Sequence, residues 1–169
     1  MANQEDIALM GHLLRRAGFG AGRAEIEAKA TQGYNAVVEE LLTPNAQPPI
    51  DEDIMVRYHP AYNQSAAIET NVQQWLYRMT NTPRQLQEKM ALFWHMIFCA
   101  GHSKIDSGEE MGRMIAMFRE HGMGNFRDLL MRLSTSPGMM YYLDNTESHK
   151  VAVNENYGRE LLELFSLGV

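Results

Sequence analysis

The sequence predicts an all-α fold: a multi-helix bundle of about eight helices with one long proline-rich loop. Three observations predict it. Almost every periodic segment repeats its apolar residues at helical spacing. The segment ends carry helix punctuation, with Ser or Asn ahead of the apolar run and Gly or Pro behind it. No convincing strand pattern and no internal repeat occurs. A chain of 169 residues, 45% hydrophobic and 21% charged, reads as one folded domain spanning 1–169.

The helices follow in order. "EDIALMGHLLRRAG" places Ile7, Met10, Leu13 and Leu14 on one stripe and stops at Gly18. "GRAEIEAKATQG" is a second helix ending at Gly33, and "YNAVVEELLTP" a third shut off by Pro44. Between the first two, "GFGAG" (Gly18 to Gly22) follows a helix rather than a strand, so it reads as a helix–helix turn and not a dinucleotide fingerprint. Residues 43–66 carry Pro44, Pro48, Pro49 and Pro60 with an acidic cluster, which predicts a long loop. In "AAIETNVQQWLYRMTNT", Ile68, Val72, Trp75, Leu76 and Met79 are expected inward. Pro83 suits the first turn of the next helix, "PRQLQEKMALFWHMIFCAG", the most apolar in the chain. "SGEEMGRMIAMFREHGMG" opens on Ser107 with Glu110 three residues later, a capping box, and its Met111, Met114, Ile115 and Phe118 have core spacing. Asn125 caps "NFRDLLMRLSTSP", "GMMYYLDN" is a short helical turn or irregular bridge, and Asn154 caps the last helix.

Charge and composition exclude several function classes. A net charge of −6 argues against a general phosphate-binding surface, so no nucleic-acid partner is expected. The longest apolar runs are too short to span a bilayer, and acids precede the first apolar run while Arg15 and Arg16 follow it, the reverse of a signal peptide. The compartment stays unassigned. The one cysteine, Cys99, lies in an apolar run and reads as a buried, inert thiol.

Two places gather polar groups against apolar ones. In the last helix, at ~100° per residue, Leu161, Leu164 and Gly168 fall within about 40° of Tyr157, with Phe165 near ~80°. Glu155, Arg159 and Glu163 run down the far side, where Glu155 and Arg159 suit a helix ion pair. Glu160 sits at the edge of the buried face with Asn156 and Glu163, so a cation or a donor should balance it. His95 is the second place. It stands nearly alone among apolar neighbours, in a helix expected to be buried on most sides, and needs a partner from another helix because Glu88 is about 10 Å away along the axis. The bland alternatives are a satisfied core histidine and a half-exposed helix edge. HEXXH, paired ExxH and Gly-x-Ser-x-Gly are absent, and the residues name no metal and no cofactor.

Two function classes remain. One is a helical scaffold or interaction module. The other is an enzyme of hydrolase or metal-assisted type, with His95, Glu160 and Asp144 as catalytic candidates and Asn145, Asn154, Glu155, Asn156 and Arg159 as binding candidates.

The stretches "HLLRRAGFGAGRAEI", "LQEKMALFWHMIF", "GNFRDLLMRLSTSPGMMYYLDN" and "NENYGRELLELFSLGV" give the chain a family likeness. In these, and in their order, it resembles the bacterial family catalogued as domain of unknown function 1800. The resemblance implies a helical fold and no reaction. Relatives often carry a second histidine two places after the one matching His95, where this chain has Ile97, which weakens any two-histidine metal site. Many relatives carry an export signal. The family domain also continues past the segment matching "ELFSLGV", so the chain resembles its N-terminal portion. Tyr157, Leu161, Leu164 and Phe165 are then expected to face further helices or to drive self-association.

Overall fold

The structure is a computed structural model that describes residues 2–58, 67–98 and 100–168; Cys99 and residues 59–66, with the expectations placed on them, lie outside that set. The described residues are all-α and contain no strand. A lone bridge between His149 and Ala152 closes a tight turn. The helices are α1 (Gln4–Ala17), α2 (Arg23–Gln32), α3 (Tyr34–Leu42), α4 (Glu52–Tyr58), α5 (Ile68–Asn81), α6 (Gln85–Ile97), α7 (His102–Ile105), α8 (Gly108–His121), α9 (Phe126–Ser134), α10 (Pro137–Tyr142) and α11 (Asn156–Leu162). A π-helical turn, Glu163–Leu167, continues α11. All eight expected helices form, α10 is the short helical turn expected at "GMMYYLDN", and α4 and α7 are short additions.

The loop expected over 43–66 is corrected by α4. Its acidic cluster is a helix start: Asp51 Oδ1 accepts the Asp53 N–H at 3.0 Å, Glu52 and Asp53 occupy the first turn, and Asp53 pairs with Arg57 one turn on. The capping box expected at α8 is half made. Ser107 Oγ accepts the Glu110 N–H at 3.3 Å, but the Glu110 carboxylate turns to Arg113 instead of back to Ser107. The complete box lies at α1, where Asn3 and Asp6 satisfy each other's backbone N–H at 2.8 and 3.2 Å. "GFGAG" is the turn between α1 and α2. Gly20 adopts φ +97°, a conformation that costs glycine little.

Two apolar clusters meet along α6. The smaller packs Met10, Leu14 and Val37 between α1, α2 and α3. Lys29 clamps α2 to α3 by donating to both Glu40 oxygens at 2.7 and 2.6 Å, which holds the Glu40 carboxyl below its ordinary pKa. The larger cluster joins α6, α8, α9 and α10, with Met111, Met114 and Phe118 inward as their spacing predicts. At its centre Phe98 is fully buried, stacked on Trp94 (5.4 Å) and Phe118 (5.9 Å) and met edge-on by Phe165 (5.2 Å). Each such buried side chain contributes about 1.5–3 kcal/mol. Gln85 of α6 ties down the turn between α1 and α2, accepting the Phe19 N–H at 3.3 Å.

Three helices depart from the faces their sequences suggest. In α6, Phe93, Met96 and Ile97 are exposed, so it is not buried all round. In α5, Val72 (48%) and Leu76 (54%) face solvent while polar Thr70 and Asn71 are buried. The buried side of α5 is rotated about a quarter turn off its apolar stripe. In the last helix the π turn displaces the register: Phe165 is buried at 7%, and Leu164, expected on the buried stripe, is 62% exposed.

Two glycine substitutions separate crowding from helix propensity. A Cβ on Gly122 would run into the Phe118 carbonyl oxygen and lie 2.7 Å from Trp94 Cδ1, where Trp94 Nε1 already donates to the Gly122 carbonyl at 2.7 Å. Gly122→Ala should destabilise the fold by about 1–3 kcal/mol in urea unfolding. Gly158→Ala, in α11 with open space around the new Cβ, should stabilise it by about 0.5–1 kcal/mol.

Candidate functional site

The residues singled out near the chain's end form a polar knot. Asp144 adopts a left-handed conformation (φ 58°), which turns its carbonyl toward Asn154. Asn154 Nδ2 donates to that carbonyl at 3.0 Å, and Asn154 Oδ1 accepts the Asn156 N–H at 2.9 Å. Asn154 thus caps α11 from one residue outside the cap position. Asn156 Nδ2 donates to the Leu143 carbonyl at 3.4 Å, and the Asp144 carboxylate binds Lys104 Nζ at 2.7 Å. Asn145 is half-buried and opens the short 3₁₀ turn Asn145–Glu147. The structure therefore brings Asp144, Asn154 and Asn156 together; both Asn154 atoms and Asn156 Nδ2 bond backbone, while Asn156 Oδ1 accepts from Arg159.

Arg159 supplies the cation that Glu160 needs. Its Nη1 lies 3.0 Å from Glu160 and 3.6 Å from Glu163, and its Nε 3.5 Å from Glu155. The Glu160 side chain is 15% exposed, whereas that of Glu155 is 77% exposed. Among the described residues no hydrogen bond or ion pair joins His95 to Glu160, Asp144 or the asparagines.

His95 lies elsewhere, at the junction of α5, α6 and α8. Its ring meets Trp75 edge-on at 5.2 Å and Phe118 at 6.4 Å. Its Nδ1 is buried without a hydrogen-bond partner. Burial pushes its pKa below the ordinary imidazole value. The partner that sequence reasoning sought on another helix is an aromatic face.

Sequence reasoning missed the group beneath that face. Glu88 is 2% exposed. Its carboxylate accepts the Trp75 indole N–H at 3.0 Å and is forked by Arg119, whose Nε and Nη2 both donate to it, the latter at 3.2 Å. One buried charge thus ties α5, α6 and α8. A signal existed: Glu88 shares a helical stripe with Ala91, His95 and Phe98, so a carboxylate stood in a core position. Its partners, thirteen and thirty-one residues away, carry no local pattern.

Above this knot lies a cleft of about 330 Å³ between α5 and α8, walled by Asn71, Trp75, Arg78, Arg113 and Arg119. A second, of about 780 Å³, adjoins it through Arg78, Ala116 and Arg119. Arg113 is paired with Glu109 and Glu110, Arg78 with Glu52 and Arg119 with Glu88, while Arg84, on the second cleft, donates to the Gln47 carbonyl. The first cleft is therefore self-neutralised and offers an anion little net attraction. Neither cleft is lined by His95, Asp144, Asn154, Asn156 or Glu160. Among the described residues no group of three or more His, Cys, Asp or Glu side chains is placed to hold a metal ion.

Comparison with known proteins adds one finding. The family described as "Protein of unknown function (DUF1800)" matches residues 12–169. The chain belongs to this family. No curated protein and no solved structure matches it. Membership leaves the activity open, so the chemistry has to be argued from the side chains. Among the described residues no helix is long and apolar enough to cross a membrane.

The two carboxylates make a test of what each site contributes. Glu88→Ala strands Arg119 and the Trp75 indole and should cost about 3–5 kcal/mol in urea unfolding. Glu160→Ala removes one of three acids around a half-exposed arginine and should cost no more than about 1 kcal/mol.

Proposed function

We propose that this chain is a helical interaction module whose C-terminal segment is the docking surface. One observation carries the reading. Leu162, Leu164 and Leu167 stand 56, 62 and 76% exposed on a segment that meets the core through Phe165 and Tyr157. Phe165 is seated against Phe98, the Tyr157 and Ser134 hydroxyls bond each other, and Ser166 Oγ donates to the Leu161 carbonyl at 2.5 Å. Leu164 and Leu167 lie three residues apart on this segment, and large aliphatic side chains held in water mark an interaction surface. The complementary partner is an apolar helix face, and self-association is the simplest form of it. The polar knot of Asp144, Asn154 and Asn156 supports this reading, because its bonds shape the chain that carries the leucines.

A second reading, acid–base chemistry, draws on one observation, the unpartnered Nδ1 of a buried imidazole, and rests on His95 alone, since Glu160 and Asp144 pair with Arg159 and Lys104 instead.

Replacing Leu162, Leu164 and Leu167 together with Ser tests the first reading. The wild-type chain should associate with rising concentration in sedimentation and bind a hydrophobic dye. The triple variant should lose both while its unfolding free energy stays within about 0.5 kcal/mol per site. A wild-type chain that stays monomeric and binds no dye contradicts it.

A further inference from the structure

We propose that α5 is a pH-gated helix: it lies against α6 and α8 while His95 is neutral and lifts away when the ring becomes imidazolium. The inference is independent of the C-terminal docking surface.

Three observations carry it. First, α5 places no apolar side chain in the fully buried class; its buried residues are Thr70 and Asn71, and Val72 and Leu76 face solvent. Elements with little buried apolar contact open at lower free energy than the core beside them. Second, the large aromatic on its inner side, Trp75, rests on two ionisable groups at once, its indole N–H on Glu88 and its ring on His95. Third, His95 Nδ1 is buried and finds no partner. That places the proton of the neutral ring at Nε2, since an N–H at Nδ1 would have no acceptor. Protonation creates that N–H and sets a charge between Trp75 and Phe118.

The surrounding charges do not offset this cost. Glu88 on α6 and Arg119 on α8 neutralise each other, and Arg78 on α5 is paired with Glu52. None of these four groups hydrogen-bonds His95 among the described residues. The Trp75 ring offers an imidazolium some cation–π attraction. Burial outweighs it, because the ring's pKa is lowered in the closed state. The sign follows: closure is fully favoured above the ordinary imidazole value of 6.5 and weakens as pH falls from there toward the depressed value of the closed state. Each unit of depression corresponds to a tenfold change in the open fraction at the low end of that window, as a tenfold change per pKa unit requires.

Hydrogen exchange on the full chain at about pH 7.5 and about pH 5.5, corrected for intrinsic rates, reads the opening directly. The expected result is that α5 amides lose protection relative to α8 and α9 at the lower pH, by up to about tenfold, the limit that an ordinary value of 6.5 in the open state sets. His95→Phe, which keeps a ring between Trp75 and Phe118 but cannot titrate, should hold α5 protection constant. Loss of protection in α5, α8 and α9 together overturns the proposal, as does no loss, or an equal loss in His95→Phe. Should that variant fold poorly, His95→Gln serves in its place, and an NMR titration of wild-type His95 stands beside both. An imidazole that titrates at or above the ordinary value overturns the gate.

Discussion

A carboxylate that has left water must be met by donors, and in this fold that requirement at Glu88 competes with the hydrophobic patterning of a whole helix. Arg119 answers it from α8 and Trp75 from α5. To deliver the indole N–H, α5 turns its Trp75 and Asn71 side inward and leaves Val72 and Leu76 in water. Burying those two would contribute about 1.5–3 kcal/mol each. Both are already about half covered, so the gain left is about half of that, while the indole N–H to the buried carboxylate contributes about 1.5–3 kcal/mol. The two terms are of one size, and Gly112 favours the observed orientation by giving the Asn71 amide room against α8.

The same competition runs through the rest of the molecule. The aromatic group around Phe98 collects α6, α8 and Phe165 without any polar requirement, and it forms where the spacing says it should. At the chain's end the two influences meet. The Asp144, Asn154 and Asn156 bonds shape the approach to α11, and the π turn then swings Phe165 into the core at the expense of Leu164. Leucines are left on the surface because backbone satisfaction and one aromatic anchor were met first.

How much of this was legible in the residues divides along the range of the interactions. Helix existence was readable from local spacing, and so were the Asn125 cap, the Met111–Phe118 core face and the Glu155–Arg159–Glu163 ladder, all of which depend on neighbours within a few turns. The "DEDI" acids that start α4 carry the same local signal, but the prolines around them point to a loop, and the helix was missed. The rotation of α5 was not legible, since it depends on a carboxylate and a guanidinium contributed by other helices. The register of the last helix was not, since a π turn adds a residue that the ideal repeat omits. For the candidate site, His95 was expected to take a partner from another helix; the ring that also serves Glu88 meets it there, and its Nδ1 has no hydrogen-bond partner.

The central claim is that the Glu88 carboxylate sets the orientation of α5 through the Trp75 indole. A double-mutant cycle in urea unfolding, pairing Glu88→Met with Trp75→Phe, tests it most directly, because the stranding of Arg119 is common to both Glu88→Met backgrounds and cancels. The account predicts a coupling of about 1.5–3 kcal/mol, the range for a hydrogen bond to a charged group. Effects that add to within about 0.3–0.5 kcal/mol would contradict it.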